Sequence, residues 1–356
     1  MILYMFVVIR TTIRGGKMKS GIKWMFLILG TMIGAGYASG REIWEFFGFE
    51  SGLAIIIFTV IFMISVYVIM KISYEEKSTH FFPIIERLVG KKLSYVYDVL
   101  IMMYLFTTTI VMIAGGGATL EAFAIPYWGG ITFFSVLLIL LFVGSTNGII
   151  KLNAIVIPIL ALGLFYSLLS FNINHHHSWT LDLNKQYNWP AAFTFTSLNI
   201  LSLIAVLSAI GREMKGLKEA KVASIGSGLV LGVISFIYNE TLLQVSDYLA
   251  EYEIPLFAIL KGASFAFFLF MSIMLWIAIY TSAVAGVFGL ASRLKDMIKI
   301  PFWIIAAILV ISMIPFTRFG FANLVAILYP LYGLINLYLL VTILLYPILS
   351  RYRTRD

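Results

Sequence analysis

The sequence predicts an all-α membrane protein of ten transmembrane helices arranged as two inverted five-helix repeats. Composition, the length of the apolar runs and an internal duplication carry this prediction. Apolar residues make up 61% of the 356 and charged residues only 12%, against about half and about a quarter in soluble domains. Mean hydropathy is +0.98. The apolar runs approach the roughly 20 residues with which an α-helix crosses a ~30 Å hydrocarbon core; barrel strands would instead alternate polar and apolar. Finally, residues 148–158 and 320–330 match at Gly148/Gly320, Leu152/Leu324, Ala154/Ala326, Ile155/Ile327 and Pro158/Pro330.

Other pairs keep nearly the same offset: Gly40-Arg41-Glu42 with Gly211-Arg212-Glu213, Pro83 and Gly90 with Pro255 and Gly262, and Ala114-Gly115 with Ala285-Gly286. Spans are expected at about 22–39, 52–70, 96–117, 131–146 and 150–170 in the first copy. The second copy gives 191–210, 223–243, 264–290, 301–316 and 322–348. Five is odd, so the second copy enters the bilayer from the opposite side and the copies are related by an axis in the membrane plane. In proteins built this way the binding site lies at the repeat interface near the midplane. The expected organisation is an extension or start-site artefact over 1–17, a first repeat over 18–170, an outer loop over 171–190, a second repeat over 191–350 and a tail over 351–356. Pro83 and Pro255 are expected to open short surface helices, because proline suits a first helical turn.

A formal charge of +8 invites a nucleic-acid reading, but its distribution is topological. On these spans 21 of the 25 Lys and Arg fall on one side, leaving Arg41, Lys185, Lys261 and Arg318 on the other. Basic loops stay cytoplasmic, which places the protein in the inner (plasma) membrane with both termini inside. Trp44, Trp128, Trp179 and Trp189 fall near the outer face and Trp24 and Trp303 near the inner, as interfacial belts. Cysteine is absent, so no thiolate metal site or cysteine nucleophile exists. No serine–histidine–acid arrangement, phosphate loop or zinc-helix motif appears, and an enzyme is not expected. His175, His176 and His177 are read as solvated loop residues, because three consecutive side chains do not converge on a metal.

The first span holds Gly30-Thr31-Met32-Ile33-Gly34-Ala35-Gly36-Tyr37-Ala38-Ser39-Gly40. Glycine costs about 1 kcal/mol relative to alanine within a helix, and in lipid a freed backbone is tolerated only where it lines a site. An unwound segment would offer carbonyls to a cation and amides to a carboxylate. Close helix packing through small residues, with Gly30 and Gly34 spaced for it, is the competing reading.

On that stretch, especially its Gly-Ala-Gly-Tyr-Ala-Ser-Gly-Arg-Glu segment, the chain resembles the LeuT-type fold of the amino acid–polyamine–organocation superfamily. More narrowly it resembles the YkvI-like bacterial membrane proteins, over roughly 20–350. Sodium-coupled members hold an ion with two carbonyls of the unwound first span and an Ala-x-x-Thr-Ser run on the eighth. The resemblance implies Gly30 and Ile33 for the first pair and Ala278, Thr281 and Ser282 for the run. Five oxygens without formal charge suit a hard ion such as sodium; a Thr-Ser pair that only bonds the carbonyl one turn back is the alternative. Tyr37 stands where studied symporters carry an asparagine of a second sodium site, so a second ion is not expected.

Substrate-lining candidates are Thr31, Gly34, Ala35, Gly36 and Tyr37 on span one, Tyr104, Thr107 and Thr108 on span three, and Ser197, Asn199 and Ser202 on span six. The resemblance implies that span six breaks too, yet it holds no glycine or proline between Ala191 and Ile210; both forms stay open. Arg41 and Glu42 stand where relatives place an outer gate, and an ordinary interfacial pair is the alternative. Glu240 is the candidate for proton coupling, with Asp98 behind it; snorkelling to water competes for both. The expected function is ion-coupled transport of a small zwitterion, most simply an amino acid, by alternating access. Its partners would be that solute, a coupling cation and the bilayer, with no cofactor beyond the ion and no nucleic acid. A non-transporting receptor or assembly subunit on the same fold, like germinant-receptor subunits, is the rival.

Overall fold

The computed structural model describes residues 20–144, 147–175, 185–295 and 300–353. The N-terminal extension, His176, His177, Trp179 and the last three residues lie outside these. Among the described residues the chain is helical, without strands. In order come α1 (Ser20–Met32), α2 (Ala35–Ala38), α3 (Arg41–Phe46), α4 (Gly52–Glu75), α5 (Phe82–Val89), α6 (Lys91–Glu121), α7 (Tyr127–Val143) and α8 (Asn147–His175). The second half supplies α9 (Ala191–Ser208), α10 (Leu217–Gln244), α11 (Pro255–Leu260), α12 (Phe265–Lys295), α13 (Phe302–Met313), α14 (Phe321–Ile335) and α15 (Leu337–Arg353).

The two halves repeat one order of elements. Long α4 matches α10, proline-initiated α5 matches α11, and α6 and α12 both run 31 residues. Proline stands inside both α8 and α14. Among the described residues seven helices are long and apolar enough to cross a membrane, and an eighth span forms if α14 and α15, bent by 41°, are one. Gly21–Met32 and Tyr127–Val143 are apolar but shorter, and the expected ten spans include these two. The helices overrun the sequence estimate at most ends; α8, for example, continues to His175.

Counterparts pack on each other across the repeat: α4 on α10, α6 on α12, and α1 on α9. Small residues let them close. A Cβ on Gly286 would stand 2.1 Å from the Thr109 hydroxyl, and one on Gly232 would stand 2.1 Å from that of Thr59. Close backbone approach of this kind replaces the hydrophobic drive that lipid removes. Ile56, Val60 and Ile64 on α4, and Ile225, Leu229 and Val233 on α10, repeat every fourth residue and are exposed. Stripes that wide need a bilayer as their solvent, because soluble monomers rarely expose them. The chain is a multi-pass membrane protein.

Trp128, Trp189 and Trp303 are about half exposed, as belt residues should be. Trp24 corrects that expectation: it is buried, and its indole N–H donates to Glu219 at 2.8 Å.

Candidate functional site: the interrupted first span

α1 stops at Met32 and α2 starts at Ala35, with Gly34 extended at φ −83° and ψ −173°. An α-helix closes each amide on the carbonyl four residues back. Ile33 still donates to Leu29, and Ala38 already donates to Gly34. Between them the carbonyls of residues 30–33 and the amides of residues 34–37 make no hydrogen bond among the described residues. These are the orphan groups of two helix ends, and inside a membrane they require a partner.

The turn just beyond is, by contrast, paired by imported donors. Tyr238 donates to the Ala38 carbonyl at 3.0 Å, the Leu256 amide to Ser39 at 2.9 Å and the Ser39 hydroxyl to Gly36 at 2.7 Å. Gly40 sits at φ +82°, a left-handed angle, with the Tyr238 ring against it. Asn188 then caps α3 by donating to the Phe46 and Phe47 carbonyls at 3.0 and 2.7 Å. Phe47, Phe58 and Phe195 close over this end with ring centroids 4.9–6.0 Å apart.

Arg41 and Glu42, expected as a gate, do not pair. Arg41 reaches Glu45 at 2.9 Å, whereas Glu42 turns inward against Gly36, where a Cβ would stand 1.9 Å from its Oε1. Glu42 has no ion pair or hydrogen bond among the described residues. Its helix α3 packs on α14, which carries Tyr329. Tyr104 comes from α6 and Tyr329 from α14, which pack against each other. Tyr37 is fully buried and bonds Ser235 on α10 at 2.9 Å; it is a structural link between α2 and α10.

The remaining expected site residues divide. Thr107 bonds the Tyr332 hydroxyl at 2.9 Å and Ser197 bonds the Gly333 carbonyl, so both tie their helices to α14. Thr31, Thr108, Asn199 and Ser202 return their donors to carbonyls of their own helices at 2.7–2.9 Å. Thr281 and Ser282 donate to the Ala278 carbonyl at 3.0 and 2.8 Å. Thr281 is buried, α12 is continuous there, and α2 packs against α12. A donating hydroxyl keeps its lone pairs, so both side chains retain the capacity to ligate a cation, while the Ala278 carbonyl is crowded with donors.

Span six does not break where span one does. Gly34 and Gly36 correspond to Ala205 and Leu207, and α9 runs unbroken to Ser208. Just past its C-terminal end Glu213 pairs with Lys23 at 3.3 Å and Arg212 donates to the Lys77 carbonyl at 3.1 Å. Asp98 near the start of α6 pairs with Arg293 near the end of α12. Glu240 lies one turn before the end of α10, partly exposed, away from the break in sequence. Two cavities, of about 490 and 600 Å³, open beside α11.

Sequence reasoning missed the inward turn of Glu42, the tyrosines of α14 and the bend at Asn336. That asparagine is 1% exposed with both side-chain polar atoms unpaired, and the only sequence signal for it is an amide in an apolar run.

A helical, multi-pass protein of LeuT-type fold with an interrupted first span is the class these features define. Known proteins agree with it. The family model "Spore germination protein" matches residues 20–182. The "Uncharacterized protein YyaD" of Bacillus subtilis (strain 168) is 58% identical over 335 residues, covering 94% of this chain and 99% of that one. The "Uncharacterized membrane protein YkvI" of the same organism is 25% identical, covering 88% and 92%. The chain belongs to the family of YyaD, within the YkvI-like membrane proteins. Among solved structures, the fold is similar to a mutant of the Eremococcus coleocola manganese transporter, with TM-score 0.60, 13% identity and coverage of 93% and 80%. It is similar also to the inward-facing conformation of Mhp1, with TM-score 0.62, 14% identity and coverage of 88% and 75%. At these identities the likeness concerns the fold. Nothing in this set of relatives and neighbours is described as an enzyme.

Proposed function

We propose that this protein is a secondary transporter that carries a small zwitterionic solute, an amino acid, across the plasma membrane by alternating access. Both termini then face the cytoplasm. The observation that carries the reading is the run of four carbonyls and four amides left without partners among the described residues at 30–37, in the middle of a span. In lipid each such group costs several kcal/mol unless something satisfies it. A solute and a cation that enter and leave would do so without fixing the helix in one state.

Spans one, two, six and seven would rock against three, four, eight and nine, and the close packing of α6 on α12 supports those helices as a scaffold. The carbonyls of Gly30 and Ile33 with the hydroxyls of Thr281 and Ser282 would hold sodium; Ala278 would join once the two hydroxyls turn to the ion. Binding of ion and solute would be reciprocal, each tightening the other by the same factor. The test is uptake of a labelled amino-acid panel into proteoliposomes with and without an inward sodium gradient. Accumulation that follows the gradient and is lost in T281A/S282A supports the reading. Accumulation driven by a proton gradient instead moves coupling to a carboxyl, with Glu240 and Glu42 as the groups to test.

A second reading has one observation in its favour. The match to "Spore germination protein" over residues 20–182 fits a sensor subunit that binds a small solute without moving it. Saturable binding with no flux in the same vesicles would select it.

A further inference from the structure

Glu42 is the carboxylate that the expected gate does not use. Its neighbour Arg41 is occupied by Glu45, and no cation of the described residues pairs with it. It stands against Gly36, just past the interruption of the first span, and α14, which carries Tyr329, packs on both α3 and the Tyr104 helix α6. The Tyr104 hydroxyl makes no hydrogen bond among the described residues; its ring packs edge-on to Tyr332 at 5.2 Å. A carboxylate inside a membrane bundle is expensive unless a cation compensates it.

The identity of that cation follows from what surrounds it. A divalent metal would draw several acidic or imidazole ligands, and among the described residues no group of three such side chains exists. One carboxylate beside aromatic residues instead suits a singly charged organic ammonium, which gains from both charge and ring faces. A net anion entering the same space would be repelled. We infer that Glu42, with Tyr104 and Tyr329, forms the recognition site for the ammonium group of the solute, so that the protein selects primary amines and zwitterions over isosteric hydroxy acids. The inference rests on the proposed solute-binding role of the interruption, and it names which end of the solute meets which residue.

The experiment is equilibrium binding and thermal shift of the full chain in detergent. Alanine, leucine and phenylalanine would be compared with their decarboxylated amines and their 2-hydroxy acids, each in potassium chloride and again in sodium chloride. The expected result is stabilisation by at least one ammonium compound, none by its hydroxy acid, and a roughly thirtyfold or greater loss of affinity in E42Q. Should E42Q not fold, G36A serves, because its Cβ would displace the Glu42 carboxyl; the same loss is expected. Equal binding of hydroxy acid and amino acid, unchanged affinity in a folded E42Q or G36A, or no binding of any ammonium compound would each overturn the inference. So would a Glu42-dependent shift produced by sodium alone, which would make the carboxylate a metal ligand. Uptake by proteoliposomes separates the two claims. Glu42-dependent binding without flux keeps this inference and removes the transporter; flux indifferent to Glu42 does the reverse.

Discussion

Arg41 and Glu45 meet at 2.9 Å across one turn of α3, both less than a fifth exposed. The Arg41 guanidinium is paired with the Glu45 carboxylate and not with Glu42. Removing either partner leaves the other poorly solvated, and the Arg41 Nε already lacks a partner. Each of R41A and E45A should therefore destabilise by about 1–3 kcal/mol, with the double variant well short of their sum. Thermal unfolding of the detergent-solubilised protein in a double-mutant cycle measures this.

Gly40 combines φ +82° with the Tyr238 hydroxyl 2.6 Å and Cζ 2.8 Å from any Cβ placed there. G40A should cost about 1–3 kcal/mol. Y238F should relieve only part of it, because the ring carbon and the backbone angle remain. Full recovery in G40A/Y238F would show that the hydroxyl alone was the obstacle.

The corresponding Gly211 faces backbone instead. An added Cβ would stand 2.1 Å from the Ser73 carbonyl oxygen and 2.7 Å from the Ser78 amide. Backbone cannot swing aside as a side chain does, so G211A should destabilise at least as much as G40A, by about 2–3 kcal/mol on the same scale. Unfolding midpoints of the two variants, compared side by side, check the order.

Tyr37 and Ser235 share a buried hydrogen bond of 2.9 Å. Y37F or S235A alone should cost about 1 kcal/mol, and Y37F/S235A little more than either, since removing both partners leaves no orphan. Additive losses would give independent weight to the second contact of the Tyr37 hydroxyl, with the Leu231 carbonyl at 3.4 Å.

Thr281 and Ser282 predict a split between stability and ligand response. Their hydroxyls bond the Ala278 carbonyl of their own helix, so T281A/S282A should change stability by less than about 1 kcal/mol in potassium chloride. If they ligate sodium, the wild-type protein should gain about 2.7 kcal/mol at a hundredfold excess over the dissociation constant, and the variant should gain none. Melting temperatures in matched sodium and potassium salts read both numbers.

The helices and their duplication were legible because apolar runs and punctuating residues record them directly. Pro158 and Pro330, the two Gly-Arg-Glu triplets and the two short proline-led helices all occupy matching places. The interruption at Gly34 was legible for the same reason. What could not be read was direction. Once the chain leaves helical geometry at residues 33–34, the phase of α3 is free, and no periodicity tells that Glu42 faces inward while Arg41 meets Glu45. Polar residues such as Thr108 and Asn199 looked like lining groups, yet a side chain able to bond its own helix does so whenever no better partner is near. The bend at Asn336 had no glycine or proline at its apex, and the burial of Trp24 depends on Glu219, almost two hundred residues away.

The unequal sixth and first spans bear on how the molecule rests. Two identical halves related by an in-plane axis would make the opposite end states mirror images in energy, because exchanging the copies converts one into the other. Ala205 and Leu207, in place of Gly34 and Gly36, remove that equivalence. Under the proposed alternating access, one orientation would then be populated above the other in the absence of any ligand, so the fold itself would carry a resting bias.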